Sequence, residues 1–500
     1  MQYPNTVERW GMWELALEGP SEGNPFVEQC LAAEFTGPEG TVKANGFYDG
    51  EGIYKVRFMP QYEGKYGFRL QAGFLEEPLE GSFEALPASC GNHGPVGVAY
   101  HYHFAYADGT PYYPVGTTCY VWNLQSEELR KKTLEELAKG YFNKIRFCVF
   151  PKHYIYNFHE PVSYPYEGVP CDTSEMTVEN FKEYGETDHG NRFDYMRPNP
   201  AHFRLVEECI AELQKLGVEA DIIVMHPYDR WGFSKMTAEA DDLYWNYVVN
   251  RFSAFRNVWW SFANEWDLLR EKTVADWERY AEIVVKNDPY HHLRGIHNCR
   301  AMYDQSRPWI THCCIQRQAD VWPVEKVNEW REQYRKPVIV DELCYEGNIE
   351  PGWGSISGQE MVRRFWECTL RGGYAGHGET FLHPQGILWW SHGGELHGES
   401  PARLAFLLDL LKTLPEGGLA YRGRRIAVSQ QKKGVGEVTL EYLGKSTSAI
   451  KTYHMGEGRY RVKVIDTWNM TVEERGEFGP DFTVDLPGRE FMAVWITRIA

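Results

Sequence analysis

Asn257-Val-Trp-Trp-Ser-Phe-Ala-Asn-Glu-Trp266 and Lys336-Pro-Val-Ile-Val-Asp-Glu-Leu-Cys-Tyr-Glu-Gly347 are the most informative stretches of the chain, because each leads from an apolar run into a glutamate. Short apolar runs bounded by polar residues are typical of buried parallel strands. In a barrel of parallel strands, catalytic groups collect at the carboxyl ends of the strands. The two stretches therefore predict that Glu265 and Glu342 meet at one rim of a barrel.

Strands and helices alternate around these two stretches. Strand-like runs lie near 114–120, 143–150, 218–225, 257–263, 293–298, 309–315, 337–341 and 374–381. Amphipathic helices are predicted at 126–139, 199–216, 237–255, 274–286, 357–371 and 400–413, and the run at 293–298 has no clear helix after it. Eight such units predict an α/β chain built around a (β/α)8 TIM barrel.

Short alternating runs, broken by glycine and proline, precede and follow the barrel. This pattern is typical of β-sandwiches. The predicted domains are an amino-terminal sandwich at 1–88, the barrel at 89–413 and a small sandwich at 414–500. A long segment at 151–198, after the second barrel strand, is predicted to be a loop that walls a pocket.

Charge and composition exclude several classes of partner. The 500 residues include 52 basic and 70 acidic side chains, a formal net charge of −18 at pH 7, so we expect no nucleic-acid partner. The start of the chain lacks a secretory signal and no stretch is apolar enough to cross a bilayer, so we expect no membrane association. With eleven irregularly spaced cysteines, these features predict a cytoplasmic protein.

Aromatic residues are abundant, with 18 Trp, 31 Tyr and 25 Phe. Their rings stack on the C–H faces of sugars and leave N–H and O–H groups free to bond hydroxyls, while most of them must pack in the core. Two carboxyl groups can cleave a glycosidic bond, one by protonating the leaving oxygen and one by acting below the ring. The expected partner is therefore a carbohydrate, and no cofactor or metal is predicted.

Trp260-Ser-Phe-Ala-Asn-Glu265 and Pro337-Val-Ile-Val-Asp-Glu342 resemble the ends of the fourth and seventh strands in the glycoside hydrolases of clan A. The resemblance implies that Glu265 is the acid/base and Glu342 the nucleophile of a retaining enzyme. It also implies that Asn264 bonds the sugar 2-hydroxyl and that Arg146, in Phe142-Asn-Lys-Ile-Arg-Phe147, orients the nucleophile.

Further motifs restrict the resemblance to a smaller group of proteins. Asp108-Gly-Thr-Pro111, Pro114-Val-Gly-Thr-Thr-Cys-Tyr-Val-Trp122 and His226-Pro-Tyr-Asp-Arg-Trp-Gly232 are similar to segments of bacterial apiosidase-like, family 5-like barrel hydrolases. Those proteins carry an immunoglobulin-like domain before the barrel and a β-domain after it. The resemblance therefore covers essentially the whole chain but does not fix the sugar.

Other polar and aromatic residues near the predicted strand ends are candidates for binding sugar. Hydrogen bonding is expected of His226, Asp229, His297, His312, His377 and Glu379, and stacking of Trp122, Tyr156, Trp231 and Tyr345; each is also compatible with a place in the core or a loop. The resemblance also implies an aromatic residue after the eighth strand, for which Trp389 and Trp390 are the candidates. Strand alternation places Glu342 and Glu346 on one side and Asp341 on the other. The strand-end rule favours Glu342 over Glu346 as the nucleophile.

Two other functions remain open. The scattered histidines, together with His101 and His103, could serve a metal-dependent barrel hydrolase, although no His pair has helical ligand spacing. A degenerate barrel could also bind carbohydrate without cleaving it. We favour a retaining glycoside hydrolase that acts on chain ends or short oligosaccharides; the sequence leaves its oligomeric state, including a homo-oligomer, undecided.

Overall fold

A computed structural model describes residues 3–185, 190–319 and 323–500. Two sheets form the amino-terminal part, with strand orders β1-β8-β7-β3-β4 and β2-β6-β5. Buried residues alternate with exposed ones along these strands, as in Trp13–Glu18, and aromatic side chains such as Phe35 and Phe58 fill the space between the sheets. The elements are β1 (Thr6–Glu8), β2 (Trp13–Glu18), α1 (Pro25–Glu28), β3 (Leu31–Gly37), β4 (Gly40–Asn45), β5 (Phe47–Gly50), β6 (Ile53–Phe58), β7 (Gly64–Ala72) and β8 (Leu79–Leu86).

A small antiparallel sheet of β9 (Val96–Ala99), β10 (His103–Tyr106) and β11 (Pro111–Tyr112) precedes the barrel. The expected turn at Asp108-Gly109 joins β10 to β11, with Gly109 at φ 91°. Phe104 packs on Trp259 with ring centroids 5.4 Å apart. The sheet therefore covers the amino-terminal end of the barrel, and His103 is bound there by Tyr374 rather than at a metal site.

Eight parallel strands form the nearly closed barrel, in the order β18-β17-β16-β13-β12-β22-β20-β19. Each predicted run overlaps one of them, which confirms the barrel. They are β12 (Val115–Thr118), β13 (Lys144–Cys148), β16 (Glu219–Met225), β17 (Val258–Ala263), β18 (Arg294–Gly295), β19 (Cys313–Gln316), β20 (Val338–Glu342) and β22 (Tyr374–His377). Between β13 and β16, the pair β14 (Tyr166–Val169) and β15 (Arg192–Pro198) folds part of the long loop; residues 186–189 of that loop lie outside the described residues.

Helices pack around the barrel at all six predicted positions, and three further helices lie among the described residues of this region. Asn199, Thr237 and Ser357 cap helices with their side chains, as expected of N-cap residues. Two of the three, α3 (Phe181–Gly185) and α9 (Trp389–His392), are short, and the third, α7 (Val327–Tyr334), precedes β20. Among the described residues 296–312 there is no helix after β18. The helices are α2 (Glu127–Leu137), α3 (Phe181–Gly185), α4 (Pro200–Lys215), α5 (Ala238–Phe252), α6 (Val274–Asn287), α7 (Val327–Tyr334), α8 (Gly358–Leu370), α9 (Trp389–His392) and α10 (Ser400–Leu411). In the described part of the chain, no helix is both long and apolar enough to cross a bilayer.

Strands return after α10 and form the carboxyl-terminal β-domain. A six-stranded sheet of order β24-β25-β26-β31-β28-β29 is covered on one side by the pair β27-β30. The short parallel pair β21 (Glu346–Gly347) and β23 (Glu379–Thr380) lies earlier, above the barrel. The strands of the last domain are β24 (Leu419–Gly423), β25 (Ile426–Ser429), β26 (Val438–Tyr442), β27 (Ile450–His454), β28 (Tyr460–Asp466), β29 (Thr471–Phe478), β30 (Asp481–Asp485) and β31 (Met492–Arg498).

Buried ion pairs join the amino-terminal sandwich to the barrel helices. Arg57 of β6 binds Glu207 of α4. Arg251 of α5 binds Asp49 of β5 at 2.6 Å and Glu207 at 2.6 Å. The fold is thus a TIM barrel flanked by two β-domains, while the boundaries 1–88, 89–413 and 414–500 stay predictions.

Candidate active site

A small pocket opens at the carboxyl ends of the barrel strands, and both predicted glutamates line it. Its volume is about 60 Å³. Its walls combine two carboxyl groups, one ammonium group, one amide and several aromatic rings: Tyr120, Lys152, Tyr154, Tyr228, Glu265, Gln318, Glu342, Tyr345, Trp353 and Trp390. This is the rim where the sequence placed the reactive residues.

Glu342 is the last residue of β20 and is only 3% exposed. Its Oε1 atom accepts hydrogen bonds from the Tyr120 hydroxyl and from Arg146 Nη1, the latter at 3.3 Å. Its Oε2 atom accepts from Gln318 Nε2 at 3.3 Å. Burial, reinforced by the charge of Glu265, raises the pKa of Glu342, while Arg146 and the Tyr120 hydroxyl act in the opposite direction.

Glu265 follows β17 in a left-handed backbone conformation, with φ 53° and ψ 57°. This region is uncommon for residues other than glycine. The Tyr228 hydroxyl donates to Glu265 Oε2. The turn therefore directs a buried carboxyl group into the pocket, where a tyrosine holds it.

His297 lies between the two glutamates. Its Nδ1 atom accepts from the Glu265 backbone N–H at 3.4 Å, and its Nε2 atom lies 3.8 Å from Glu342 Oε1. Burial, together with the positive charge of Arg146, places the pKa of His297 well below its ordinary value. The ring is therefore neutral at physiological pH; it contacts the backbone of Glu265 and the carboxyl group of Glu342 without adding a charge.

Arg146 connects Glu342 to Asn264. Arg146 Nη1 donates to Asn264 Oδ1 at 2.8 Å as well as to Glu342, and Nη2 donates to Ser261 Oγ at 3.4 Å. Among the described residues, the amide nitrogen of Asn264 makes no side-chain hydrogen bond. This nitrogen is therefore available to donate to a bound molecule.

Lys152 places a positive charge beside Tyr120 and Tyr228, the two tyrosines that bond the glutamates. Its Nζ atom lies 3.4 Å from the ring centroid of Tyr120, 4.3 Å from that of Tyr228 and 4.9 Å from that of Trp390. Burial lowers the pKa of Lys152 to about 8. The ammonium group is thus held mainly by aromatic faces, a cation–π arrangement.

The structure brings together six of the predicted site residues: Glu265, Glu342, Asn264, Arg146, His297 and Tyr345. The other seven lie outside the residues that line the pocket, and their role in sugar binding stays a prediction. A strand end brings a residue near the rim, but the side chain can still point outward into the helical layer or down into the barrel.

Two of these seven are core tryptophans and two belong to neighbouring loops. Trp122 packs on Phe147, and Trp231 stacks on Phe233. His226 Nε2 lies 3.3 Å from the Phe150 carbonyl, and Asp229 accepts backbone bonds from Trp231 and Ser234, both at 2.8 Å: Asp229 stabilises its own turn.

The remaining three lie outside the pocket as well. His312 packs on Phe104 and Trp259 near the barrel floor. His377 stacks on Phe142, and Trp389 donates through Nε1 to Thr117 at 2.8 Å. The adjacent Trp390, the alternative for the aromatic residue after the eighth strand, is the one that lines the pocket.

Glu346 belongs to a second, buried carboxyl cluster with Glu379. Glu346 accepts from the backbone N–H groups of Glu399 and Ser400, at 2.7 and 3.1 Å. Glu379 accepts from those of His397 and Gly398, at 2.5 and 2.7 Å. Together with His377 these residues could surround a cation, with ligand atoms within 4.8 Å of one another. The four backbone donors satisfy both carboxyl groups and hold the segment that leads into α10, and burial raises the pKa of Glu379 to about 8.

The expected alternation along β20 fails after Glu342. Cys344 has φ 76°, so the chain turns there and directs Glu346 away from Glu342. Asp341 lies inside the barrel, where Lys144 Nζ binds it at 2.8 Å and binds Asp221 at 2.5 Å. The placement of Glu346 beside Glu342 was therefore wrong, because the strand ends at Glu342. The placement of Asp341 on the opposite side was also wrong, because the pairing of β19 with β20 shifts register at Asp341.

Sequence reasoning missed several pocket residues: Tyr120, Lys152, Tyr154, Tyr228, Gln318 and Trp353. Tyr120 and Lys152 each follow a barrel strand within a few residues, as does Tyr228. The strand-end rule applied to every residue type, rather than mainly to acids and histidines, would have found these three. The same rule would have found Gln318, which lies two residues past β19, whereas Trp353 carries no such signal.

Comparisons with known proteins agree with this geometry. Residues 99–395 match the family described as "Apiosidase-like, catalytic domain". Residues 6–73 and 427–497 match two families described as domains of unknown function, DUF5060 and DUF5605. No curated protein matches the chain.

Solved structures include a close relative. A candidate glycoside hydrolase from Bacteroides vulgatus is 35% identical, with a TM-score of 0.91 over 99% of this chain and 100% of that one. A family 5 glycoside hydrolase from the same species shares the fold, with 14% identity and a TM-score of 0.58 over 82% of this chain and 94% of that one. The chain therefore belongs to the apiosidase-like family of glycoside hydrolases.

Proposed function

We propose that this glycosidase cleaves its substrate with retention, using Glu342 as the nucleophile and Glu265 as the acid/base. The observation that carries the proposal is that both buried carboxyl groups line one small pocket, each bound by a tyrosine hydroxyl. Two carboxyl groups at such a site suffice for glycoside cleavage in two displacement steps.

The donors around Glu342 support its role as the attacking group. Tyr120 and Arg146 both bind Oε1, which favours the ionised form and leaves Oε2 bound only by the more distant Gln318. In the first step Oε2 attacks the anomeric carbon and the bond to the leaving oxygen breaks. Glu265 gives its proton to that oxygen.

The second step uses the same groups in reverse. Glu265, now ionised, takes a proton from water, whose oxygen attacks the anomeric carbon and displaces Glu342. The free amide nitrogen of Asn264 can donate to a sugar hydroxyl, and Arg146 fixes the orientation of that amide. The two displacements together restore the original configuration.

The size of the pocket supports action on chain ends or short oligosaccharides. About 60 Å³ between aromatic walls suits one part of a sugar better than the middle of a long polymer. Lys152 and Tyr154 come from the long loop at 151–198, as expected for a loop that closes a pocket. The carbohydrate class remains to be found by screening.

Substitution of the two glutamates tests the mechanism. On a panel of nitrophenyl glycosides, Glu342→Ala should remove turnover, and azide should restore it as a glycosyl azide. Glu265→Ala should slow substrates with poor leaving groups by about 10²–10⁴-fold and affect activated ones less. The exposed Glu350→Ala and Glu271→Ala serve as matched controls.

The anomer released first, followed by NMR, distinguishes retention from inversion. An inverted first product, or normal hydrolysis by Glu342→Ala, would refute the proposed mechanism. Affinity without turnover in the unmodified protein would indicate a binding protein. Loss of turnover on chelation, restored by metal, would instead indicate the metal-dependent alternative.

A further inference from the structure

A second, larger cavity lies far from the carboxyl pair, where the amino-terminal sandwich meets α5. Its volume is about 730 Å³. We name it the junction trough; besides three tyrosines, its polar lining includes five side-chain amides and one lysine: Gln29, Lys43, Asn45, Gln71, Asn246 and Asn250. Volumes in this range hold small-molecule ligands.

The sheet side of the junction trough is a row across three strands. Ala32 of β3 pairs with Asn45 of β4 on one side and with Gln71 of β7 on the other. Directly paired residues share one face of a sheet. The small alanine therefore leaves a gap between two amides.

One face of α5 forms the helix side of the junction trough. Leu243, Asn246, Tyr247 and Asn250 lie three or four residues apart along α5 and so share one face. Asn287 closes the space between the two sides, because it accepts from Asn45 Nδ2 at 2.9 Å and donates to Asn246 Oδ1 at 2.7 Å.

Several of these amides have unused hydrogen-bonding capacity. Asn250 Oδ1 is buried and has no hydrogen-bond partner among the described residues. The side-chain amides of the half-buried Gln29 and the exposed Gln71 make no hydrogen bond to any residue that the structure describes and are free to bond a ligand. Buried acceptors are normally satisfied, so an unpaired one beside a cavity indicates a missing partner.

The chemical groups that line the junction trough indicate which class of ligand it binds. Lys43 is the charged side chain among the described lining residues, and no carboxylate lines the junction trough. Planar amides both donate and accept, as hydroxyl groups do, and the rings of Phe26 and Tyr48 add apolar surface. We propose that the junction trough binds a neutral oligosaccharide and, lacking an acid pair, does not cleave it.

This site goes beyond the proposed hydrolysis, because it would hold carbohydrate at a distance from the reacting groups. A chain held there would keep the enzyme near its substrate and raise the effective local concentration. The proposal does not depend on which glutamate attacks.

Titration calorimetry with cellohexaose, mannohexaose and xylohexaose tests the proposal on a Glu342→Gln background that cannot turn them over. We expect at least one of them to bind, and Ala32→Trp, which fills the gap between Asn45 and Gln71, to weaken that binding about tenfold or more. Asn250→Leu, which removes the unpaired acceptor at similar volume, should weaken it too. Thr452→Trp, on an exposed strand of the last domain, is the control for added bulk.

The proposal fails if none of the three hexasaccharides binds, if Ala32→Trp and Asn250→Leu bind as tightly as Thr452→Trp, or if hexagalacturonic acid binds better than all of them. Turnover of nitrophenyl glycosides by Ala32→Trp in the otherwise unmodified protein should equal that of the parent. Absence of turnover in every protein would count against the proposed hydrolysis and leave the binding result standing.

Discussion

Lys152 brings a positive charge into a pocket whose reaction passes through a cationic sugar. An unshielded positive charge beside the cationic sugar would raise the energy of the transition state. We therefore expect Lys152 to act through the groups that it contacts. It contacts the rings of Tyr120 and Tyr228, and each of these tyrosines bonds one of the two glutamates. We therefore interpret Lys152 as a positioning residue that keeps both pairs in place.

The pH profile tests this interpretation. Because burial lowers the pKa of Lys152 to about 8, the ammonium group is present below that pH and lost above it. We expect activity to fall as the pH rises through about 8, and Lys152→Met to remove this alkaline step while lowering kcat across the range. The exposed Lys182→Met should keep the parent profile. An alkaline step that persists in Lys152→Met would contradict the interpretation.

Tyr120 supplies a hydrogen bond to the proposed nucleophile. Bonds to charged groups contribute about 1.5–3 kcal/mol, so Tyr120→Phe should lower kcat/KM by roughly 10- to 100-fold without changing the fold. Steady-state kinetics and circular dichroism measure the two effects. Tyr100→Phe removes a comparable but exposed bond to Glu416 and should leave kcat/KM unchanged. Equal activity of both variants would show that the Tyr120 hydroxyl has no role.

At the scale of single elements, sequence patterns located the strands but not every side chain on them. Glu265 and Glu342 could be predicted because each ends a strand, and strand ends share one rim. Glu346 could not be placed, because a single positive φ at Cys344 changes the direction of the chain and carries no sequence signal. Trp389 and Trp390 face opposite surroundings for a similar reason: a four-residue helix, α9, sets their directions.

The barrel strands also enclose charge, which hydrophobic patterns do not reveal. Lys144 on β13 binds Asp221 on β16 and Asp341 on β20, and all three side chains are buried. Lys144→Met would leave two carboxylates unpaired in the interior and should lower the free energy of unfolding by about 3–5 kcal/mol. Urea unfolding measures the change. The control, Lys463→Met, removes an exposed ion pair with Glu474 and should lower the free energy of unfolding by about 1 kcal/mol or less. A similarly small loss for Lys144→Met would show that the buried triad does not stabilise the barrel.

At the scale of the whole molecule, the order of the domains could be predicted because the sequence pattern changes along the chain. Short alternating runs give way to alternating strands and helices and then return. The contacts between domains could not be predicted, because they join residues far apart in sequence whose types are unremarkable. Arg57, Glu207 and Arg251 lie in three separate elements, yet they form one buried cluster with Asp49 at the junction of sandwich and barrel. The junction trough could not be predicted for the same reason, because no local sequence pattern marks it.

This cluster should make the sandwich and the barrel unfold together. Arg251→Met removes the partner of Asp49 and Glu207 and should lower the free energy of unfolding by about 3–5 kcal/mol. Tryptophan fluorescence during urea unfolding checks this value and also shows whether the transition separates into two. Arg461→Met, which breaks an exposed pair with Glu477, is the control. A loss no greater than that of the control would show that the domains do not depend on the cluster.

The left-handed backbone at Glu265 has an evolutionary consequence. A glutamate in this conformation costs about 1–3 kcal/mol, and the cost would be smaller for asparagine, which adopts it more readily. Stability alone would favour asparagine here, and the proposed acid/base role explains why the chain carries glutamate instead. We expect Glu265→Asn to melt at a higher temperature than the parent in calorimetry while losing turnover; a lower melting temperature would mean that the carboxyl group also secures its own turn.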